Sequence, residues 1–364
     1  MARLKIGFIG LGLIGGSIAR ALKTNIPEVS ITAYDVNVDT LKLAVREQVV
    51  DYAAISIDNN FSDCDYLFLC APVQKNDVNL MTVKQFLSPA CLITDVGSVK
   101  TQIHTVIREA GLESQFIGGH PMTGSERTGF ANSKAVLLEN AYYILTPTNS
   151  VSQAKLEQYR ELVTRLGAIP LILDYEQHDY VTAAISHLPH VIAASLVNLV
   201  REHDSADGIM KMIAAGGFKD ITRIASSSAI MWQQICLTNT ENINILLSNY
   251  IHALQVIQEQ LSARDADALY ELFDSARIYR DSFVDASSGP IKRSYAFKLD
   301  IADRPGGLAT VVGLLAERAI NIKNIGITHN REDEYGVLHM EFYNEEALHS
   351  AKKILSEHDY SIQD

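Results

Sequence analysis

The residues best suited to chemistry in this chain stand in glycine-bearing loops. His120 lies in the segment GGHPMTGSE, directly after a short apolar run. A neutral imidazole there could accept a proton from a hydroxyl that is being oxidised. Ser98, in the segment DVGSVK, could orient that histidine or the substrate hydroxyl. Purely structural roles compete with both: the histidine could cap a turn, and the serine could cap a helix.

A pair of cations points to an anionic ligand. Lys219 and Arg223 lie four residues apart in GGFKDITR, so a helix there places them on one face. Such a fork holds carboxylates, although an exposed cationic face has the same pattern. His187 and His190, three residues apart, lack an evident third metal ligand. We therefore expect no metal, and a His187 that is packed or lines the substrate pocket.

The first glycine-rich segment predicts a dinucleotide site. Gly10, Gly12 and Gly15 form a G-x-G-x-x-G between an apolar run and a helical stretch. The spacing allows a tight turn, a close approach of backbone to pyrophosphate, and close packing of helix on strand. The next apolar run ends in Asp35, which is placed to accept from a ribose 2′-hydroxyl and to repel a 2′-phosphate. NAD is therefore the predicted cofactor, and the expected contacts are Gly10, Gly12, Leu13, Ile14, Gly15, Asp35, Ala71, Pro72 and Ser98.

Alternating apolar strands and helices up to residue 173 predict how these residues are brought together. The pattern is that of an α/β Rossmann-type, doubly wound parallel sheet. Ligands in such sheets bind outside the carboxyl ends of the strands. The glycine turn, the Ala71-Pro72 pair, Ser98 and His120 should therefore converge on one crevice. A secretory signal would also begin with basic and apolar residues, but three glycines and the βαβ pattern argue against it.

The strand signal disappears from residue 174 to 285, where we expect an all-α substrate and dimerisation domain. Its stretch from Val181 to Leu196 is apolar nearly all round, which is typical of a helix buried in a subunit interface, so a homodimer is expected. Pro189 should kink or break that helix. Residues 286–294 form a predicted linker, and residues 295–364 have the βαββαβ order of a ferredoxin-like module.

Composition narrows the class of protein. The 364-residue chain carries a net charge of −12, which argues against nucleic-acid binding. No stretch reaches the ~18 uninterrupted apolar residues of a membrane helix, so no membrane partner is expected. The four cysteines show no metal-binding spacing. In the absence of an export signal, we expect reduced thiols and a cytoplasmic protein.

Five motifs, in order, resemble those of the prephenate dehydrogenases of tyrosine biosynthesis: GFIGLGLIGGSIA, DVGSVK, GGHPMTGSE, SHLPH and GGFKDITRIA. The resemblance implies NAD-dependent oxidative decarboxylation of prephenate to 4-hydroxyphenylpyruvate. It implies that His120 bonds the ring hydroxyl and takes its proton, that Ser98 helps to hold that hydroxyl, and that Arg223 binds a prephenate carboxylate. The positions that it implies for the pocket lining are Lys219, Glu126 and His187.

Residues 295–364 resemble an ACT domain, a small-molecule sensor. Its loop before the first helix carries glycines whose backbone N–H groups suit the carboxylate of an amino acid. The expected effector contacts are Asp303, Gly306, Gly307 and Asn321. Because tyrosine is the end product of the implied pathway, we expect feedback inhibition by tyrosine. The alternative is a module that only aids assembly.

Other functions stay open at the level of sequence. An arogenate dehydrogenase would share the pocket motifs, because only an amino group replaces the side-chain keto group. A 2-hydroxy-acid dehydrogenase with an ACT tail is disfavoured by the position of the glycine motif at the N-terminus. A non-catalytic sensor of NAD and amino acids is disfavoured by the joint presence of His120, Ser98 and Arg223. Trp232 either gates the pocket or packs in the core.

Overall fold

Short apolar runs form a parallel sheet at the start of the chain in a computed structural model, which describes residues 3–124, 127–285, 295–302, 305–329, 335–358 and 360–363. The strands are β1 (Lys5–Ile9), β2 (Ser30–Tyr34), β3 (Tyr52–Ala54), β4 (Tyr66–Leu69) and β5 (Leu92–Asp95). They lie in the order β3-β2-β1-β4-β5. Along β4, Leu67 and Leu69 enter one apolar core while Phe68 enters another, as the period-two alternation of a strand requires.

Helices connect these strands and supply both cores. They are α1 (Leu13–Asn25), α2 (Val38–Arg46), α3 (Val73–Val83) and α4 (Thr101–Glu109). One core takes Ile18 and Leu22 of α1, and the other takes Ile103 and Ile107 of α4. The predicted doubly wound parallel sheet is therefore confirmed for these five strands.

The last three strands before residue 174 form a second sheet rather than an extension of the first. They are β6 (Ile117–Pro121), β7 (Tyr142–Pro147) and β8 (Ile169–Ile172), with α5 (Gln153–Arg165) between β7 and β8. The pair β7–β8 is parallel because α5 serves as its crossover, whereas β6 runs antiparallel to β7. In the described part of the β6–β7 connection only short 3-10 turns occur, so no helix returns the chain for a parallel pairing.

The second region is helical, as predicted. Its helices are α6 (Tyr175–Thr182), α7 (Leu188–His203), α8 (Ile209–Ile213), α9 (Gly216–Thr222), α10 (Ala229–Thr238), α11 (Thr240–Ala263) and α12 (Ala266–Asp285). A π-helical turn, Ala183–His187, separates α6 from α7. The helical run Tyr175–His203 is continuous, and the π-helical turn lies directly before Leu188 and Pro189. The expected kink or break is therefore not a break in the helix: the irregularity beside the proline is a single π-helical turn.

The chain divides into two compact units, Met1–Leu272 and Phe273–Asp364. The second unit contains the predicted βαββαβ module. Its elements are β9 (Tyr295–Ala302), α13 (Gly307–Ala316), β10 (Ile322–His329), β11 (Tyr335–Phe342), α14 (Glu345–Glu357) and β12 (Ile362–Gln363). The antiparallel sheet has the order β10-β11-β9-β12. Leu299, Leu338, Val311 and Leu355 join its two helices to one face of the sheet.

Candidate active site

The turn after β1 has the geometry of a dinucleotide cradle. Gly10 has a φ of +92°, and a Cβ added to it would lie 2.5 Å from the backbone nitrogen of Ala71. Strand β1 therefore approaches the end of β4 in a way that only glycine allows. A Cβ on Gly12 would meet nothing within 4 Å, so the backbone before α1 is open to a ligand. The residues fit a pyrophosphate at the start of α1.

Asp35 is fixed beside this cradle. Its Oδ2 accepts a hydrogen bond from Leu11 N (2.7 Å) and its Oδ1 accepts one from Asn37 N (2.8 Å). The half-buried carboxylate thus follows β2 directly and borders the glycine turn. A fixed negative charge at this place suits a ribose hydroxyl and opposes a 2′-phosphate.

His120 lies within β6, not in a loop as the sequence indicated. It is the penultimate residue of the strand, because β6 pairs with β7 up to Pro121. Gly119 allows β6 to come close to β5, since a Cβ there would lie 2.6 Å from the backbone oxygen of Asp95. His120 therefore stands at the carboxyl edge shared by the sheet strands.

A buried ion pair joins β6 to the end of β5. Lys100 Nζ donates to Asp95 Oδ2 and to Gly119 O (2.7 Å), and neither side chain reaches solvent. Burial lowers the pKa of Lys100, while the Asp95 carboxylate opposes that shift. Gly97 N also donates to Asp95 Oδ2 (2.9 Å), so the same carboxylate holds the β5–α4 turn. The pair fixes the strand that carries His120.

The direct partner of His120 is a second histidine. His120 Nδ1 lies 2.8 Å from His178 Nε2, and His178 Nδ1 lies 2.8 Å from Asp179 Oδ1. Burial above all, and then the nearby charges of His178 and Lys100, lower the pKa of His120 well below its usual value. His120 is therefore uncharged at neutral pH and able to accept a proton. Sequence reasoning missed His178 and Asp179, whose only signal was an adjacent His-Asp pair at the start of the helical region.

Ser98 lies half-buried in the turn between β5 and α4. Within the part of the chain that the structure describes, its side chain makes no hydrogen bond to His120. The hydrogen bond that orients His120 is made with His178. A hydrogen bond from Ser98 to the substrate hydroxyl stays a prediction. Glu126 lies outside the described residues.

His187 is buried beside an amide and the single tryptophan. Asn239 Nδ2 donates to His187 Nδ1 (3.1 Å) and to the backbone oxygen of Asp179 (2.7 Å). Because its Nδ1 accepts, His187 carries its proton on Nε2. The edge of its ring faces Trp232, and His190 stacks on Trp232 with ring centres 3.7 Å apart. Trp232 is half-buried and bridges the two histidines.

The two predicted cations belong to different elements, and the charge of Arg223 acts on His190 of this cluster. Lys219 belongs to α9, whereas Arg223 begins the 3-10 turn that follows α9. Both are exposed in the single chain. Burial lowers the pKa of His190, and the charge of Arg223 lowers it further. The structure thus brings Arg223, His190, Trp232 and His187 to one side of the helical region.

The predicted effector residues lie around α13, the first helix of the βαββαβ module. Gly306 has a φ of +88° and precedes α13, whose first residue is Gly307. Asn321 is exposed immediately before β10. Asp303 lies outside the described residues.

A nucleotide fold with an uncharged histidine at the carboxyl ends of its strands defines the class of protein, a nicotinamide-dependent dehydrogenase. The sequence matches the models for the nucleotide-binding domain of prephenate dehydrogenase over residues 18–170 and for its dimerization domain over 174–275. Residues 297–363 match an AHAS small subunit-like ACT domain. The chain belongs to the prephenate dehydrogenase family and is an enzyme of that family.

Individual relatives agree with this assignment. The prephenate dehydrogenase of Bacillus subtilis is 36% identical over 349 residues, which cover 95% of this chain and 94% of the relative. The Aquifex aeolicus prephenate dehydrogenase, crystallised with hydroxyphenyl propionate and NAD+, is 30% identical, with a TM-score of 0.73. The match covers 78% of this chain and 99% of that one. A Synechocystis arogenate dehydrogenase is 29% identical, with a TM-score of 0.70 over 77% of this chain and 100% of that one.

Proposed function

We propose that the enzyme converts prephenate and NAD+ to 4-hydroxyphenylpyruvate, carbon dioxide and NADH. The observation that carries the proposal is His120, kept uncharged by burial at the sheet edge that also bears the glycine turn and Asp35. The ligand of the Aquifex aeolicus neighbour supports it, because hydroxyphenyl propionate has the hydroxylated ring and side-chain carboxylate of the product. NAD is the cofactor that the nucleotide-binding domain and the position of Asp35 favour.

The residues of the chain supply binding and proton transfer. Arg223 and Lys219 hold the carboxylates of the substrate, and His187 offers its Nε2–H as a further donor. His120 accepts the proton of the ring hydroxyl as the carbon that bears it loses hydride. NAD, when bound, supplies the hydride acceptor. Close packing of β6 on β5 keeps the imidazole fixed while this occurs.

Electrons and protons balance in this reaction without another reactant. Loss of hydride turns the carbinol carbon into a carbonyl, and the C–C bond to the ring carboxylate then breaks. The electron pair of that bond enters the ring, carbon dioxide leaves, and the carbonyl oxygen becomes a phenolate. The phenolate takes back the proton that His120 accepted, so the base is regenerated and no net proton is released.

Arogenate is the second candidate substrate, because the Synechocystis neighbour is an arogenate dehydrogenase. The two compounds share the ring and differ at the side chain. Steady-state NADH formation with each compound tests the choice, and we expect the larger kcat/KM for prephenate. A larger value for arogenate would assign the enzyme to the other substrate, and no turnover of either would contradict the proposal.

We propose that the enzyme is a homodimer joined through its helical region. Ile185, Met212, Ile213, Ile230 and Leu237 are each more than three-fifths exposed in the single chain, at 63, 73, 71, 71 and 67%. Such a concentration of exposed apolar side chains is typical of an interface, and the matched family model is a dimerization domain.

The helical run Tyr175–His203 within this region is also long and apolar enough to cross a membrane. One such helix is weak support for a membrane protein, and burial between subunits accounts for its composition equally well. Sedimentation of the purified enzyme should give twice the chain mass. The absence of a membrane partner and the cytoplasmic location stay predictions.

We propose further that tyrosine inhibits the enzyme through residues 295–364. The support is the match to an ACT domain and the turn before α13, where a Cβ on Gly306 would meet nothing within 4 Å. Open backbone at a helix start suits the carboxylate of an amino acid. Asn321 lies before β10 and offers a side-chain amide.

A further inference from the structure

We propose that His178 and Asp179 are positioning residues that fix the tautomer and the direction of His120. The proposal rests on the proposed role of His120 as the base. The three side chains form an unbroken line of two hydrogen bonds, each 2.8 Å long, from Asp179 Oδ1 through His178 to His120 Nδ1. His178 and Asp179 are 0% and 1% exposed, so water does not compete for the bond between them, and His120 is half-buried.

Asp179 is the fixed end of this line. Its Oδ1 accepts from Lys100 N (2.8 Å), and its Oδ2 accepts from Thr101 N (2.8 Å) and Thr101 Oγ1 (2.6 Å). Burial opposes ionisation, but hydrogen bonds from His178, Thr101 and the backbone outweigh it and lower the pKa of Asp179. The carboxylate is therefore charged and held by the start of α4, and it has no freedom to turn.

The hydrogen-bond network assigns a proton to each nitrogen. An ionised carboxylate only accepts, so His178 carries its proton on Nδ1. Burial lowers the pKa of His178, although the hydrogen bond to Asp179 raises it. The ring is therefore neutral, and its Nε2 carries a lone pair that can accept a hydrogen bond. His120 must then donate from Nδ1. The remaining nitrogen of His120, Nε2, is unprotonated and is the atom that receives the substrate proton.

The same line stabilises the charge that His120 gains. The charged or titratable groups that face it are His178, Lys100 and His187. Lys100 is paired with Asp95, and burial lowers the pKa of His187 to about 4, so that ring is neutral at neutral pH. The carboxylate of Asp179 is connected to the new imidazolium through the two hydrogen bonds of His178, and its negative charge favours the protonated ring. A buried carboxylate behind a histidine base acts in the same way in hydrolase triads.

Asp179→Asn tests the proposal most sharply. Its amide nitrogen can donate to His178 Nδ1, which would move the His178 proton to Nε2 and force His120 to carry its own proton on Nε2. We expect kcat to fall by about 10²–10⁴, the range for loss of general-base catalysis, while NAD affinity is kept. His178→Leu should act similarly. His178→Gln, whose amide oxygen can accept from His120 Nδ1, should recover part of the loss.

Thr101→Val is the matched control, because it removes one bond to Asp179 and leaves the His178 bond intact. It should lower stability yet keep most of kcat. The ¹⁵N-histidine NMR spectrum of the unaltered chain reads the tautomer without substrate, so it stays decisive if prephenate is not turned over or if Asp179→Asn fails to fold. A His120 that carries its proton on Nε2, or near-normal kcat in both Asp179→Asn and His178→Leu, would overturn the proposal.

Discussion

Arg223 begins the turn after α9, and its charge reaches His190. If it holds a prephenate carboxylate, Arg223→Ala should raise KM by about 10–100-fold, the equivalent of one charge-assisted hydrogen-bonded pair. The effect on kcat should be smaller, because the contact exists in ground and transition states alike. Initial-rate kinetics measure both constants. Arg165→Ala, at the exposed end of α5, is the control, and an unchanged KM in Arg223→Ala would place Arg223 outside the pocket.

Asp35 should decide between the two nicotinamide cofactors. The unaltered enzyme should prefer NAD, and Asp35→Ser combined with a nearby basic residue should lower the ratio of kcat/KM for NAD over NADP by about 10-fold or more. The reason is that a carboxylate fixed by Leu11 N and Asn37 N repels a 2′-phosphate. Asp39→Ser, on the exposed face of α2, should leave the ratio unchanged. Equal use of both cofactors by the unaltered chain would refute the assignment.

At the scale of elements, buried histidines couple the fold to pH. Burial lowers the pKa of His104 and of His187 to about 4 each. Between their unfolded value of about 6.5 and 4, the unfolded chain binds more protons, so the stabilisation is complete above pH 6.5 and is lost as pH falls toward 4. At pH 5 each of the two histidines should therefore lower the free energy of unfolding by about 1–2 kcal/mol relative to its value above pH 6.5.

Thermal unfolding between pH 7.5 and pH 5 measures this loss. His104→Gln, which removes the ring that contacts Thr146 and stacks on Tyr175, should lower Tm at pH 7.5 but flatten its dependence on pH. A Tm that is constant from pH 7.5 to pH 5 in the unaltered chain would contradict the assignment of neutral buried histidines.

Elements defined by local pattern could be predicted from the sequence, whereas contacts across the fold could not. The glycine turn, Asp35 and an irregular helical turn beside Pro189 follow from rules that act within a few residues. The separate sheet of β6 to β8 goes with a β6–β7 connection whose described residues form only short 3-10 turns, and the apolar pattern of the strands does not reveal this. The hydrogen bond between His120 and His178 joins residues that are 58 positions apart in the sequence, so no local spacing of residues predicts it.

At the scale of the whole molecule, regulation is the property to test. Tyrosine should inhibit the full chain, and deletion of residues 295–364 should keep catalysis while removing much of that inhibition. The deletion separates the module matched to an ACT domain, residues 297–363, from the residues matched to the two prephenate dehydrogenase domains, 18–170 and 174–275.

Inhibition constants for tyrosine at low and at saturating prephenate separate competition at the active site from effects of the ACT domain. Asn321→Ala in the full chain tests the same idea without a deletion. Equal inhibition of the full and truncated enzymes would remove the sensor role and leave the module a part in assembly.

The proposed role of His120 as the base in the oxidation of prephenate has a direct test. The test is kcat for NADH formation from prephenate in the unaltered enzyme and in His120→Asn, with NAD affinity measured alongside. We predict a fall in kcat of about 10²–10⁴ with little change in NAD affinity, because the substitution removes a proton acceptor and leaves the glycine turn intact. A variant with near-normal kcat would contradict the account.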